Sequence, residues 1–405
     1  MSESLIPLCV PEIRGNEWKY VKDCLDTGWV SSAGPYVDRF ETELARFVGA
    51  RRAVATVNGT SALHIALQVA GVQADDEVLV STLTFIAPAN AIRYAGAWPV
   101  FMDADPVYWQ MDTQKVSDFL HQECDWCDGE LRNKSSGRRV KALLPVHVLG
   151  HPVDLDPLME LARKFNLVLI EDATESIGAT YKTRRVGSIG HIACFSFNGN
   201  KLITTGGGGM ITTDNEAWAD RAKYLTTQAK DDAVEYIHHE IGYNYRLPNL
   251  LAAMGCAQLE MVPEYMVRKR AIAQRYAAGL ASVPGITLMR EAAWAGSVFW
   301  MFTVLLEETI WGADFRPTLK KMAAQKVQTR PLWQPLHQSR AHAGSQGYRC
   351  EVAERLGRVA LSLPCSVGLK YDQQTAVIDG LRTCVGDLAW VGCCERPYND
   401  PSRTL

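Results

Sequence analysis

Short runs of β-branched residues alternate with amphipathic stretches between about residue 51 and residue 215. Such alternation is typical of crossover units, in which a helix connects two parallel strands of one sheet. The clearest helical periodicity lies in residues 60–70 and 155–165, where apolar residues recur on one face. The chain is therefore predicted to be an α/β protein with a mostly parallel sheet. The predicted strands are residues 52–57, 77–81, 98–104, 142–148 and 167–173.

The chain has 405 residues, which is more than one typical domain needs. Helical periodicity resumes near residue 250, after a glycine-rich segment that is too flexible to be one strand. We predict a large domain over residues 1–255 and a smaller C-terminal α/β domain over residues 256–405. The smaller domain is predicted to hold helices at 268–280 and 374–381 and strands near 287 and 301–307. The polar segment 128–139 is predicted to be an exposed loop.

Composition places the chain among ordinary globular proteins, with 47% hydrophobic and 21% charged residues. Forty-two basic against 45 acidic side chains leave a net charge of -3, so no nucleic-acid-binding face is predicted. No apolar run approaches the ~20 residues that cross a bilayer. The first segment, MSESLIPLCV, does not resemble a secretory signal, so a cytoplasmic location is expected.

Eleven cysteines are scattered over the whole length, which favours free thiols over a disulfide framework. Cys124 and Cys127 form an isolated CxxC, and Cys393 and Cys394 are adjacent. Neither pair has a second pair of ligands at zinc spacing. Both are interpreted as structural or incidental, and no metal site is predicted.

Two residues carry the chemistry predicted for this chain. Asp172 ends a predicted parallel strand, at the sheet edge where doubly wound folds bind ligands. Lys201 lies 29 residues later, on a tight turn before the run TTGGGG. A pyridoxal phosphate enzyme needs a lysine for the Schiff base and a carboxylate for the pyridine nitrogen. On these two residues alone, a helix cap and a solvated loop lysine are the simpler interpretation.

Two further signals also fall at predicted strand ends. Gly59, Thr60 and Ser61 begin a helix, whose free N–H groups and hydroxyls could hold a phosphate. Phe85 follows another strand, where its ring could stack on a flat cofactor. Taken singly, an ordinary helix cap and a core phenylalanine are favoured. Because all four signals converge on strand ends, together they indicate a coenzyme site.

Six segments in order resemble a known family: VNGTSALHIAL, TLTFIAPANAIRYAGAWPVFMD, LPVHVLGHPVDLDPL, EDATESIGATYKTRRVGSIG, CFSFNGNKLITTGGGGMITTD and GYNYRLPNLLAAMGCAQLE. The chain resembles the DegT/StrS family of nucleotide-sugar aminotransferases over nearly its full length. NGNKLITTGGGGM and GWVSSAG are similar to the subgroup that acts on UDP-linked 4-keto-6-deoxy-amino sugars of the bacillosamine and legionaminic acid type.

The resemblance implies a fold type I enzyme, with a mostly parallel seven-stranded sheet in the large domain and a smaller C-terminal α/β domain. It also implies a homodimer whose active sites are built from both subunits. By position, Lys201 is the Schiff-base lysine, Asp172 is the partner of the pyridine nitrogen, and Phe85 stacks on the cofactor.

Further cofactor contacts follow from the same resemblance. Glu175 stands where the family often has Gln or His beside the cofactor's phenolic oxygen. A second departure is Gly207, where many members have Glu. The residues expected to hold the phosphate are Gly59, Thr60, Ser61 and Ser196, joined by Asn244 from the partner subunit.

The implied reaction moves an amino group from L-glutamate to C4 of a nucleotide-linked 4-keto-6-deoxy sugar. The expected sugar is UDP-2-acetamido-4-keto-2,4,6-trideoxyhexose, in surface-glycan biosynthesis. Alternatives on the same fold are a sugar dehydratase, which replaces the lysine with histidine, and a non-catalytic regulator. Expected substrate contacts are Trp29, Ser31, Ser32, Arg330 and His337. Candidates for the diphosphate are Lys134, Arg138, Arg139, Arg184 and Arg185.

Overall fold

Helices and strands alternate along most of the chain in the computed structural model, which describes residues 4–232 and 234–394, with side chains up to residue 385. The α-helices are α1 (Glu17–Thr27), α2 (Pro35–Val48), α3 (Gly59–Val69), α4 (Ala87–Tyr94), α5 (Thr113–Gln122), α6 (Leu155–Lys164), α7 (Glu216–Thr226), α8 (Asn249–Leu280), α9 (Glu308–Trp311), α10 (Arg316–Ala324), α11 (Glu351–Val359) and α12 (Tyr371–Cys394).

The strands are β1 (Arg52–Thr56), β2 (Glu77–Ser81), β3 (Trp98–Met102), β4 (Cys124–Cys127), β5 (Glu130–Asn133), β6 (Val140–Leu144), β7 (Val168–Asp172), β8 (Thr180–Tyr181), β9 (Arg184–Arg185), β10 (Ile192–Ser196), β11 (Gly209–Thr213), β12 (Ile286–Leu288), β13 (Ala295–Gly296), β14 (Phe302–Leu306), β15 (Arg330–Pro331), β16 (Gly347–Tyr348) and β17 (Ala360–Leu363).

The central sheet has the strand order β1-β11-β10-β7-β6-β2-β3-β16. All neighbours from β10 to β16 pair in parallel, and only β11 runs against its two neighbours. The prediction of a mostly parallel sheet is confirmed. The sheet has eight strands rather than seven, because the two-residue strand Gly347–Tyr348 joins β3 from the C-terminal part of the chain. So short a strand leaves no periodicity in the sequence.

Helix α3 lies over the sheet and is buried along most of its length. Its apolar residues are fully buried except for Val69, and they belong to the core cluster that includes the strands beneath. The fully buried residues are Ala62, Leu63, Ile65, Ala66 and Leu67. The Asn58 side chain accepts the N–H of Ser61 at 2.8 Å, and so caps the start of the helix. This packing fixes the helix start at the carboxyl end of the neighbouring strands.

The predicted strands other than 142–148, and the helices predicted at 60–70 and 155–165, agree with the structure to within two residues. The helices predicted at 268–280 and 374–381 are parts of the longer helices α8 and α12, and the strand predicted at 142–148 is displaced. Strand β6 ends at Leu144, and the chain then turns through a 3-10 helix at Val148–Gly150. The C-terminal part forms a separate four-stranded sheet of β12, β14, β17 and β15. The predicted boundary after residue 255 falls inside α8, and the division into two domains stays a prediction.

The segment predicted as an exposed loop at 128–139 is partly a β-hairpin, and that prediction is wrong. Strands β4 and β5 pair across a turn at Asp128 and Gly129, both with positive φ. Leu131 is buried, and the Asn133 amide donates to Glu77 Oε2 at 2.8 Å. An Asp-Gly pair is a strong hairpin signal, so the sequence carried the information.

The cysteine pairs and the helix lengths add two further facts. Cys124 is buried and Cys127 is exposed, each as a free thiol, whereas the side chains of Cys393 and Cys394 lie outside the described part of the chain. Among the described residues, no helix combines the length and apolarity needed to cross a lipid bilayer.

Candidate active site

A cavity of about 440 Å³ opens at the carboxyl ends of the parallel strands. This is the edge at which open α/β sheets bind ligands. The cavity brings together seven of the residues predicted from sequence, namely Gly59, Thr60, Phe85, Asp172, Glu175, Ser196 and Lys201. These residues come from the ends of four strands, so the fold rather than local sequence assembles the site.

Lys201 lies on the turn after β10 and reaches into the cavity. Its side chain is 13% exposed, and its Nζ lies 3.5 Å from Glu175 Oε1. The ring of Trp300 lies 4.1 Å from the same nitrogen. The amino group is therefore held between a carboxylate and an aromatic face, while it remains open to a ligand in the cavity.

Asp172 ends β7 and is 2% exposed. Burial raises the pKa of its carboxyl group, and hydrogen bonds from Thr174 and the charge of Lys201 oppose that rise. The Thr174 N–H donates to Asp172 Oδ1 at 3.1 Å. A buried carboxylate with a raised pKa gains free energy from a cation placed beside it, such as a protonated ring nitrogen.

A buried histidine and glutamate hold the end of the strand that carries Asp172. His147 Nε2 lies 3.0 Å from Glu171 Oε2, and both side chains are fully buried. Since His147 Nδ1 accepts the Val153 N–H at 3.1 Å, its Nε2 carries the proton and donates to Glu171. The His147 N–H also donates to the Asp172 carbonyl at 3.0 Å. These bonds limit the movement of Asp172.

Glu175 is 3% exposed and links Lys201 to the turn after β6. Its Oε2 accepts the Leu149 N–H at 2.8 Å. Leu149 adopts a left-handed conformation, with φ of 61°, which is uncommon for a residue with a Cβ atom. Burial raises the pKa of Glu175, opposed by Lys201 and the Leu149 N–H. The strained turn therefore aims a hydrogen-bond donor at a carboxylate of the cavity.

The start of α3 forms a concave surface of backbone. A Cβ atom added at Gly59 would lie 2.8 Å from Ser196 Cβ, so a side chain there would collide with β10. The N–H groups of Gly59 and Thr60 belong to the first helical turn, which has no acceptor within the helix. Together with the hydroxyls of Thr60 and Ser196, they suit an anion such as phosphate. Ser61 is buried beneath this surface, outside the cavity lining.

Five other predicted contacts lie outside the cavity of this subunit. Those five residues are Asn244, Trp29, Ser31, Ser32 and Arg330, and all are exposed. His337 is also outside, held by Thr82 Oγ1 at 2.8 Å and Glu354 Oε1 at 3.0 Å. Their roles toward cofactor or substrate stay predictions.

The basic residues considered for a diphosphate do not line the cavity either. Arg139 pairs with Asp76 at 2.6 Å, and Arg138 stacks on Trp98 at 4.4 Å. Both contacts lie at the amino ends of β2 and β3, opposite the cavity. Since parallel strands put their two ends on opposite edges of the sheet, these arginines lie far from a ligand bound beside Lys201 of the same subunit.

Two tryptophans that the sequence analysis misses also line the cavity. Trp300 precedes β14, and Trp333 follows β15. Trp333 lies between Arg330 and His337, two of the expected substrate contacts, so this part of the chain was identifiable from sequence and the residue was not. Trp300 has no local signal, because only the packing of the C-terminal part of the chain brings it to Lys201.

The arrangement defines a class of protein. A lysine, a buried carboxylate, a helix start and an aromatic ring surround one cavity, and they match the aldehyde, ring nitrogen, phosphate and ring face of pyridoxal phosphate. The close approach of Gly59 to Ser196 leaves backbone N–H groups exposed to an anion, as that cofactor requires. The site thus has the features of a coenzyme-dependent transferase.

Comparison with known proteins identifies the family. Residues 11–382 match the DegT/DnrJ/EryC1/StrS aminotransferase family, and the chain belongs to it. It is 38% identical to the GDP-perosamine synthase of Caulobacter vibrioides, over 93% of this chain and 97% of the relative. The GDP-perosamine synthase of Escherichia coli O157:H7 is also 38% identical, over 94% and 99% of the two chains. The chain is therefore an aminotransferase of a pyridoxal phosphate-dependent family that acts on nucleotide sugars.

Solved structures agree on the fold. A crystal structure of DesI with its TDP-sugar product has a TM-score of 0.85 at 27% identity, covering 98% of this chain and 97% of that chain. An aminotransferase of the same family from Brucella abortus has a TM-score of 0.83 at 25% identity, covering 92% and 95%. The predicted fold type I architecture is confirmed.

Proposed function

We propose that this chain transfers an amino group from L-glutamate to C4 of a nucleotide-linked 4-keto-6-deoxy sugar, with pyridoxal 5'-phosphate as cofactor. The observation that carries the proposal is the placement of Lys201 and Asp172 on one cavity, from the ends of neighbouring strands. A sugar dehydratase on this fold would have histidine at position 201, so Lys201 favours transamination.

Cofactor binding would use the residues of the cavity. Lys201 Nζ would hold the cofactor covalently, Asp172 would face its ring nitrogen, and the start of α3 with Ser196 would hold its phosphate. When bound, the cofactor supplies an electron-withdrawing ring that accepts an amino group from one substrate and passes it to another.

Proton transfer would depend on Lys201. Once released by the amino donor, its Nζ would lie inside the cavity, where it could carry a proton from the donor carbon to the cofactor carbon and, in the second half of the reaction, from the cofactor carbon to the sugar carbon. Glu175 Oε1, 3.5 Å away, would keep that nitrogen oriented. Because L-glutamate and the keto sugar would bind in turn at the same site, the enzyme should release 2-oxoglutarate before the keto sugar binds.

The nucleotide is proposed from the relatives. Three GDP-perosamine synthases are 35% to 38% identical to this chain, which favours a GDP-linked keto sugar. The UDP-linked acetamido sugar predicted from the sequence remains the alternative substrate.

A substrate panel tests this proposal. Purified protein with pyridoxal phosphate and L-glutamate is incubated with GDP-, UDP- and dTDP-linked 4-keto-6-deoxy sugars, and amino sugars are measured by mass spectrometry. We expect the GDP-linked sugar to have a kcat/KM about tenfold or more above the others, because base contacts discriminate by binding free energy. A Lys201→Arg protein is the control. Faster turnover of the UDP-linked acetamido sugar would support the alternative, and no turnover of any sugar would contradict the function.

We also propose a homodimer in which Asn244 completes the partner's phosphate site. Asn244 is exposed and lies outside the cavity of its own subunit. Phe85 is 56% exposed at the cavity, although a cofactor-stacking ring should be covered. Exposed Trp18 and Trp29 are consistent with a further apolar surface that a partner would bury.

Mixing two variants tests the shared site, at a pyridoxal phosphate concentration near the wild-type dissociation constant, where Asn244→Ala protein is almost inactive. Asn244→Ala should weaken cofactor binding about tenfold or more, because a hydrogen bond to the phosphate is lost. When Asn244→Ala and Lys201→Ala proteins are refolded together, half of the dimers are mixed and each has one intact site. Activity should therefore return to about a quarter of the wild-type value. No recovery, with mixed dimers verified by mass, would show that Asn244 does not act across an interface.

A further inference from the structure

Trp300 makes a contact with Lys201 that the proposed chemistry has not used. Its ring lies 4.1 Å from Lys201 Nζ, and the side chain is 5% exposed. An ammonium group over an indole face is attracted to the electrons of the ring. The indole ring does not act as a base, so it can hold the charged amine without taking its proton.

Two hydrogen bonds fix the position of Trp300. Its Nε1–H donates to the carbonyl of Asn200 at 2.8 Å, and Asn200 directly precedes Lys201. Its own carbonyl accepts a hydrogen bond from Lys269 Nζ at 2.8 Å. The ring is thus tied to the turn that carries Lys201 on one side and to helix α8 on the other.

Lys269 is an unusual residue in this position. It is 1% exposed, and its hydrogen-bond acceptors are the carbonyls of Trp300 and Cys365 and the Cys365 thiol at 2.8 Å. Within the described part of the chain, no carboxylate forms an ion pair with it. Burying an amine without a counter-ion costs free energy. The contacts it makes in return join α8, the Trp300 backbone and the segment after β17.

We infer that Trp300 is a further active-site residue, which holds the amino group of Lys201 in position whenever that group is not bonded to the cofactor. Lys269 is a positioning residue that acts through the Trp300 carbonyl. The inference rests on the proposed function, since this lysine is alternately freed and bonded again only if it holds the cofactor. Glu175 Oε1 at 3.5 Å and the Trp300 ring at 4.1 Å both contact this nitrogen, so two groups rather than one determine its position.

Competitive labelling of the cofactor-free protein tests the inference without relying on catalysis. Acetylation of Lys201 by a small reagent is followed across pH by mass spectrometry, because only the uncharged amine reacts. In Trp300→Leu the ammonium loses the ring, so the midpoint of labelling should fall by about one pH unit. Trp300→Phe keeps an aromatic face, so its labelling midpoint should fall by less. Lys269→Met should shift in the same direction, and Lys269→Arg should restore the wild-type midpoint.

Trp311→Phe is the matched control, because Trp311 is equally buried and its Nε1–H also donates to a backbone carbonyl, that of Pro284 at 2.9 Å. It should lower the melting temperature without moving the midpoint. Unchanged midpoints in folded Trp300→Leu and Trp300→Phe would overturn the inference. If Trp300→Leu does not fold, an unchanged midpoint in Trp300→Phe overturns it. Failure of the proposed function would instead appear as wild-type protein that binds no pyridoxal phosphate.

Discussion

Replacing Lys201 with alanine is expected to abolish covalent attachment of pyridoxal phosphate and to lower the transamination rate by about 10³-fold or more. The expectation follows from position, since Lys201 Nζ is the amine that lies in the cavity between Glu175 and Trp300. Alanine removes both the covalent link and the proton carrier. Among the described residues that line the cavity, Lys201 is the one side chain with an amine.

The measurement is the mass of the protein after incubation with the cofactor and borohydride reduction. Wild type should gain one cofactor on the peptide that contains Lys201, and Lys201→Ala should gain none there. Lys201→Arg keeps the positive charge and should also fail, which separates charge from covalent chemistry. Lys182→Ala is the control at an exposed lysine. Cofactor attached at another lysine, with activity retained, would contradict the assignment.

Asp172→Asn is expected to lower the rate by about 100- to 1000-fold while the protein stays folded. Asparagine keeps the shape and can still accept the Thr174 N–H, but it cannot hold a proton on the ring nitrogen by charge. Cofactor should still attach to Lys201 in this variant. The loss should therefore appear in the reaction steps, measured by single-turnover kinetics with L-glutamate.

The pH dependence of thermal stability distinguishes a role of Asp172 in binding the cofactor from a role in stabilising the fold. Burial raises the pKa of Asp172 in the folded protein above the value of about 3.9 in an unfolded chain. A carboxyl group with a raised pKa stabilises the fold at low pH, and that contribution is lost as the pH rises through the folded value. Since asparagine has no charge to bury, cofactor-free Asp172→Asn should melt no lower than wild type at about pH 8.

Asp103→Asn is the control for a structural carboxylate, and it should lower stability rather than the reaction rate. Asp103 is fully buried, pairs with Lys115 at 2.6 Å and accepts the Ala353 N–H at 2.7 Å. Its loss should lower the melting temperature and leave the cofactor reaction intact. If Asp172→Asn behaves like Asp103→Asn, Asp172 supports the fold and not the cofactor.

The parallel sheet could be predicted from sequence because its strands are separated by helices of clear periodicity. The strand predicted at 77–81 is observed as β2 (Glu77–Ser81), and the helix predicted at 155–165 ends one residue earlier as α6 (Leu155–Lys164). β16 could not be predicted, since two residues carry no periodicity and their pairing with β3 depends on the whole fold. The hairpin of β4 and β5 was predictable from Asp128 and Gly129.

The residues of the candidate site also differ in how far they could be predicted from sequence. Asp172 and Lys201 were identifiable because strand ends and glycine-flanked turns are visible in the chain. Trp300 comes from a distant segment, and its contact with Lys201 exists only after the C-terminal part packs against the sheet. His337 lies close in sequence to the cavity residue Trp333, and its ring is bound by Thr82 and Glu354 outside the cavity of this subunit. Its contact with substrate stays a prediction.

The absorption spectrum of the purified protein, before and after L-glutamate, tests the central claim most directly. Cofactor bound to Lys201 should absorb near ~410 to 430 nm, and glutamate should move the band to ~330 nm as conjugation with the ring is lost. Addition of a GDP-linked 4-keto sugar should then restore the first band. Wild-type protein that takes up pyridoxal phosphate but shows no change with glutamate would contradict the proposed donor. Protein that takes up none would contradict the transaminase function itself.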